Sequence, residues 1–336
     1  MDHFLTKKTL AVTRGHTYTY YTNPPDASSP RPKPTVLLVH GWPDDASCWS
    51  RVIRDTILPE GYGVVAPDLL GSGESSKPLD EREYDFRKIA GDVVEILEKE
   101  DVAKVVLWAH DWGAAFASRI YNYHPSRALA LTLTNTNYFA PNSTPFSIDA
   151  LIELTQKTHG YGICWYWHLF ASDEAPQLMT DHIDTLWTIL HGSGETWLET
   201  FCKENGFRDA LFSDRRKSVL PYANEEMKKE WVSKVLADDG LRLKASLMWY
   251  RALANGFQDE ANTEATQNLV LKVPYLLVRA EDDVCCKGED HEMLKKAGLL
   301  GEDADTEVMG GAHWVMLSHP KEYGRKIVSW LKKKGF

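Results

Sequence analysis

Five short apolar runs constrain this chain more than any other feature. Residues 35–39 (Thr-Val-Leu-Leu-Val), 62–66, 105–107, 129–133 and 273–278 are each nearly all apolar. Runs of that length suit parallel strands buried on both faces. Stretches of helical period lie between them; Ile89, Val93, Ile96 and Leu97, for example, share one face. Strands alternating with helices argue for an α/β fold, a mostly parallel, doubly wound sheet. Further β-like runs occur around 10–12, 18–21 and 306–309, with a Pro- and Ser-rich loop at 23–34. The last helix is expected from Pro320, a residue suited to a first turn, burying Tyr323, Ile327, Trp330 and Leu331. Between 140 and 256 the pattern changes. No buried-strand run appears there, the tendency is helical, and six of the twelve tryptophans (Trp165, Trp167, Trp187, Trp197, Trp231, Trp249) fall inside it. This segment reads as a helical cap inserted after the sixth strand, leaving 1–139 and 257–336 as the core domain.

The net charge of −10 argues against nucleic acid and anionic membrane surfaces as partners. No apolar run approaches the roughly 18 residues of a membrane span. The first eight residues lack the apolar core of a signal peptide, and the last five, Lys332-Lys333-Lys334-Gly335-Phe336, match no lipidation or retention signal. A cytoplasmic location is expected. The five cysteines are few, and the adjacent pair Cys285-Cys286 is neither a metal-ligand spacing nor a CxxC motif. They are expected as reduced thiols. Twelve histidines show no metal-ligand spacing, and Gly71-Ser72-Gly73 is too short for a dinucleotide fingerprint. No cofactor and no metal are expected.

The chemistry concentrates at Ala109-His110-Asp111-Trp112-Gly113, where a β-rich run meets a helix-forming stretch. A strand, a sharp turn and a helix with small residues on either side of the turn form a nucleophile elbow. Here the elbow carries Asp111 rather than Ser. A carboxylate attacks carbon by displacement and leaves an alkyl ester that water must cleave. A carboxylate follows the run at 273–278, in Glu281-Asp282-Asp283, and His313 sits in the glycine-rich Gly310-Gly311-Ala312-His313-Trp314. The order nucleophile, acid, histidine is that of a hydrolytic triad on such a sheet. His40-Gly41-Trp42-Pro43-Asp44 ends another strand. There the Trp42 amide can pair with the Trp112 amide as an oxyanion hole. Pro43 has a fixed φ and helps orient that turn, and His40 reads as a ring bonding nearby backbone. His110 should alternate away from the site.

Taken together these motifs resemble the epoxide hydrolases of the α/β-hydrolase superfamily. His40-Gly41-Trp42-Pro43, Gly71-Ser72-Gly73-Glu74-Ser75, His110-Asp111-Trp112-Gly113, the acid loop ending in Asp283, and His313-Trp314 span essentially the whole core domain. The resemblance implies Asp283 as the acid, ahead of Asp282 and Glu281. It also implies two cap tyrosines that hydrogen-bond the epoxide oxygen. Met248-Trp249-Tyr250-Arg251 matches one motif, giving Tyr250. Tyr166-Trp167-His168-Leu169-Phe170 fits the other best, giving Tyr166, with Tyr161 as fallback. Asp111 would then open the epoxide to an ester, and His313, oriented by Asp283, would activate water to release a vicinal diol.

Two alternatives stay open on the sequence. A haloalkane dehalogenase would share Asp111, Trp112 and His313, need a second N–H donor for the halide, and have no use for the tyrosines. An epoxide-opening cyclase would let a substrate hydroxyl replace water. The expected partner is a small apolar or aromatic epoxide; a homodimer is neither required nor excluded by the sequence.

Overall fold

The computed structural model describes residues 1, 3–26, 28 and 32–336. Part of the Pro- and Ser-rich loop (27 and 29–31) therefore lies outside the described residues. The eight strands are β1 (Thr6–Ala11), β2 (Thr17–Asn23), β3 (Thr35–Val39), β4 (Gly63–Pro67), β5 (Val105–His110), β6 (Ala128–Thr134), β7 (Tyr275–Ala280) and β8 (Ala304–Met309). They form one sheet in the order β1-β2-β4-β3-β5-β6-β7-β8. The β1–β2 and β2–β4 pairs are antiparallel and the rest are parallel.

The all-apolar runs became the central strands because both of their faces are covered. Every residue of β3, β4 and β5 is buried. Burying one Val or Leu side chain contributes roughly 1.5–3 kcal/mol. The helices Phe86–Lys99 and Trp112–Tyr123 pack against each other. Ile89, Val93, Ile96 and Leu97 of the first are buried, and the Asp85 carboxylate caps its N-terminus. The C-terminal helix Pro320–Lys333 buries Tyr323, Ile327, Trp330 and Leu331, as its spacing predicts. All five cysteines are free thiols.

Among the described residues no named strand lies between β6 and β7. A series of helices runs there instead, from Ile148–His159 to Asp259–Ala265. The Asp259–Ala265 helix packs on Trp112–Tyr123, where Arg119 Nε donates to Asn262 Oδ1 at 3.0 Å and the Tyr123 hydroxyl to the Ala261 carbonyl at 2.7 Å. The later helices of the segment are tied to the loops around the strand ends. Arg242 Nη2 and Asp45 Oδ2 form a buried ion pair at 2.8 Å. Trp249 Nε1 donates to the Leu70 carbonyl at 2.9 Å, and Arg251 Nε to Glu81 Oε1 at 2.7 Å. Removing one partner of a buried ion pair typically costs about 3–5 kcal/mol, so the Asp45–Arg242 contact is a firm anchor. No helix among the described residues is long and apolar enough to cross a membrane.

Candidate active site

Asp111 sits at the turn between β5 and the helix Trp112–Tyr123, with φ 55° and ψ −128°. A non-glycine residue held there costs on the order of 1–3 kcal/mol, and close packing enforces it. A Cβ on Gly113 would lie 2.3 Å from the Val39 carbonyl oxygen and 2.4 Å from that of His40. A Cβ on Gly41 would lie 2.3 Å from Asp111 Oδ1. Two bare backbones therefore let the turn approach β3, and the Asp111 carboxylate lies directly over Gly41.

The carboxylate meets the backbone donors expected of an oxyanion hole. The Trp42 N–H donates to Asp111 Oδ1 at 2.8 Å, and the Trp112 backbone N–H donates to the same carboxylate. His313 Nε2 stands 3.5 Å from Asp111 Oδ2, while its Nδ1 is 2.7 Å from Asp283 Oδ2. The other Asp283 oxygen accepts from the Cys285 N–H at 2.7 Å, so the acid is held on both sides. Asp283, not Asp282 or Glu281, makes this contact. Burial alone would push His313 down; the Asp283 carboxylate, with Asp111, outweighs it and raises the imidazole to about 10. Burial likewise favours a neutral Asp111, but the hydrogen bond and charge of His313 bring it below the ordinary carboxylate value. The resting pair is an imidazolium beside a carboxylate.

His40 and Pro43 are not among the residues lining the cavity; they shape the turn that carries Trp42. The His40 Nε2 accepts from the Leu69 N–H at 2.9 Å, leaving Nδ1–H to donate to the Gly41 carbonyl at 2.9 Å. Burial lowers this imidazole to about 4, so it is neutral. The Trp42–Pro43 peptide is cis. The loop at 71–75 also stays back from the cavity, its Glu74 N–H donating to Asp68 Oδ2 at 2.9 Å. His110 is not among the residues that line the cavity. Its Nε2–H donates to the His313 carbonyl at 2.9 Å and its ring packs 4.5 Å from the His313 ring.

A cavity of about 460 Å³ is lined by Trp42, Asp111, Trp112, Tyr166, Tyr250 and His313, among others. The Tyr250 ring meets the Trp112 ring edge-on at 4.9 Å and lies 6.0 Å from Tyr166. Burial pushes the Tyr250 hydroxyl well above its usual value and the Asp111 charge adds to this, while hydrogen bonding with Trp112 and Tyr166 opposes it. Tyr161 is elsewhere: its hydroxyl donates to the Val284 carbonyl at 2.9 Å. The cavity continues between the helices Ile148–His159 and Gly288–Lys296. Leu154 and Met293, 49 % and 45 % exposed, mark where its lining reaches the surface. Among the described residues no group of His, Cys, Asp or Glu is arranged to hold a metal ion.

Sequence reasoning assigned nothing to several residues that the fold brings here. Asn135, at the end of β6 with φ 55°, donates to the His313 carbonyl at 2.6 Å and accepts from the Ala280 N–H at 2.8 Å. It ties the histidine loop to β7. A lone asparagine after a strand was its sole sequence signal. Trp197 packs its ring 4.8 Å from that of His313. Asp44 accepts from Trp314 Nε1 at 2.8 Å, and burial pushes its carboxyl up to about 7.

A strand-borne Asp elbow, paired to a histidine and a second carboxylate in the chain order of a hydrolase triad, defines an α/β-hydrolase site. Residues 34–320 match the family described as alpha/beta hydrolase fold, and the chain belongs to that family. The epoxide hydrolase srdG of Neurospora crassa is 26% identical, over 98% of this chain and 95% of that protein. The bifunctional epoxide hydrolase 2 of Rattus norvegicus is 23% identical over 89% of this chain and 52% of its own length. This chain thus spans about half of the bifunctional relatives. Among solved structures, an epoxide hydrolase mutant from Vigna radiata superposes with a TM-score of 0.77 at 21% identity, covering 98% of this chain and 99% of that one. A mutant epoxide hydrolase from Solanum tuberosum gives 0.76 at 23% identity, with coverage of 98% and 99%.

Proposed function

We propose that this protein is an epoxide hydrolase that opens an apolar or aromatic epoxide through a covalent Asp111 ester and releases a vicinal diol. In this reading residues 140–256 are the cap, 1–139 and 257–336 are the core, and the enzyme is cytoplasmic. The observation that carries it is one cavity lined together by the carboxylate at the elbow, by His313 beside it, and by Tyr166 and Tyr250. The relatives named epoxide hydrolases add support.

The ionised Asp111 attacks an epoxide carbon while Tyr166 and Tyr250 hydrogen-bond the ring oxygen and supply the proton the alkoxide needs. Forming the ester removes the Asp111 charge. One of the causes that hold His313 at about 10 is then gone, and the imidazolium gives up its proton, which returns to the tyrosine that protonated the alkoxide, leaving a neutral imidazole as general base. His313, oriented by Asp283, takes a proton from water as it attacks the ester carbonyl. The Trp42 and Trp112 amides, which hold the carboxylate at rest, then hold the oxyanion. Losing one such donor typically costs on the order of 10²–10³ in rate.

The test is turnover in ¹⁸O-labelled water with a panel of epoxides and haloalkanes. Diol from epoxides, with no halide released, is the expected outcome. Halide release without epoxide turnover would give the site to a dehalogenase.

A further inference from the structure

The second half of this reaction needs water at a place the first half closes. With the alkyl group bonded to Asp111, substrate lies in the apolar cavity that Asp111 shares with Leu154 and Met293. Water arriving that way must pass the alkyl chain.

A second space borders His313. A void of about 10 Å³ lies against His313, Asp283 and Ala312, about the room one water occupies. It shares Leu190, Trp197, His313 and Trp314 with the main cavity. On its other side it shares Ser193, Gly194, Leu220, Tyr222 and Asp282 with an outer groove of about 680 Å³. The three spaces are therefore neighbours that share walls, and the His313–Asp283 pair stands beside the narrow one. The turn that borders it carries no bulk. A Cβ on Gly192 would lie 2.6 Å from Thr196 Cγ2, and one on Gly194 would lie 2.9 Å from the Asp282 carbonyl oxygen. Tyr222 is fixed by its hydroxyl, 3.0 Å from His191 Nδ1. Leu220, half-buried, is a side chain that lines both the void and the outer groove.

We infer that this void supplies the hydrolytic water, so that substrate and water reach the site by different routes; the inference rests on the ester mechanism above. A water entering past Leu220 crosses the void and passes beside His313 into the main cavity, where Nε2 faces the Asp111 ester. Its oxygen bonds to the carbonyl carbon as one proton passes to His313. The acyl C–O bond to the alkyl group then breaks, and that proton goes to the departing diol oxygen. The carboxyl left on Asp111 ionises to His313, restoring the resting pair.

The experiment is rapid-quench intact-mass analysis with the best epoxide of an alkyl and aryl panel, comparing wild type, Leu220→Trp and Leu220→Met. Leu220→Trp should alkylate at the wild-type rate but hydrolyse its ester about tenfold more slowly, equivalent to about 1.4 kcal/mol of barrier, so that the ester accumulates. Leu220→Met should restore hydrolysis. A merely structural defect would slow both phases together. If Leu220→Trp does not fold, Ser193→Phe adds bulk to the same two spaces and carries the same expectation. Wild-type hydrolysis rates in a folded, narrowed variant overturn the inference while leaving the ester mechanism standing. Absence of any ester in wild type and His313→Gln overturns both.

Discussion

His313 Nε2 lies 3.5 Å from Asp111 Oδ2, on the opposite side of the ring from the 2.7 Å contact to Asp283. One imidazole therefore touches both the group that would form the ester and the group that would orient the base. Replacing His313 by Gln should leave ester formation possible and stop its hydrolysis. An adduct of substrate mass on the intact protein is expected within one turnover. No adduct from any epoxide that the wild type turns over would remove His313 from the hydrolytic step. Asp283→Asn should behave in the same way but less severely, because the acid acts through the imidazole.

Asp111→Ala should abolish turnover with the circular-dichroism spectrum retained. In ¹⁸O water, repeated turnovers of the wild type should place label in the Asp111 carboxylate, read by peptide mass. Label in the diol but never in that peptide would replace the ester with direct attack by water.

The tyrosines separate an oxygen leaving group from a halide. Tyr250→Phe changes volume little and should slow alkylation by about 10²-fold, the low end for a positioned general acid. The double variant with Tyr166→Phe should be nearly inactive, and wild type should release no halide from haloalkanes. Indifference to Tyr250→Phe together with halide release would favour the dehalogenase.

Three glycines should respond differently to alanine. Gly113→Ala drives a Cβ into the β3 carbonyls and should destabilise by about 1–3 kcal/mol through overpacking. Gly41→Ala meets the Asp111 carboxylate itself, so its main effect should be on the rate of ester formation. Gly91, inside the helix Phe86–Lys99, has nothing within 4 Å of its would-be Cβ. Gly91→Ala should stabilise by about 0.5–1 kcal/mol. Denaturant midpoints and single-turnover rates for the three variants check the set.

His313 is raised on folding from 6.5 to about 10. A group raised on folding contributes stability that is complete below its unfolded value and is lost as pH climbs through the folded one. The melting temperature of wild type relative to His313→Gln should therefore fall between these two values. Parallel curves across that window would show that the ion pair does not stabilise the fold.

The sheet was legible because parallel strands covered on both faces must be apolar throughout. The runs at 35–39, 62–66, 105–107, 129–133 and 273–278 lie in or within two residues of β3 to β7. Asp111 was legible because the elbow is local: a strand, a strained residue, a glycine and a helix within ten residues. Asn135 was not, because its two bonds run to the His313 carbonyl and the Ala280 N–H, 178 and 145 residues away. Neither was Trp197, whose ring partner is 116 residues on.

Local pattern alone therefore determined the strand runs, the elbow and the chain order of nucleophile, acidic loop and histidine, since each depends on near neighbours and side-chain period. Tertiary packing decided which acid meets the histidine and which aromatic residues line the cavity. Tyr161 and Tyr166 lie five residues apart in equally aromatic surroundings, yet one hydroxyl is spent on the Val284 carbonyl while the other ring joins the wall that Asp111 shares. The helices of the 140–256 segment settle against the strand ends through contacts such as Asp45–Arg242 and Trp249–Leu70. Those contacts set the direction of each side chain, and nothing in the short-range sequence specifies it.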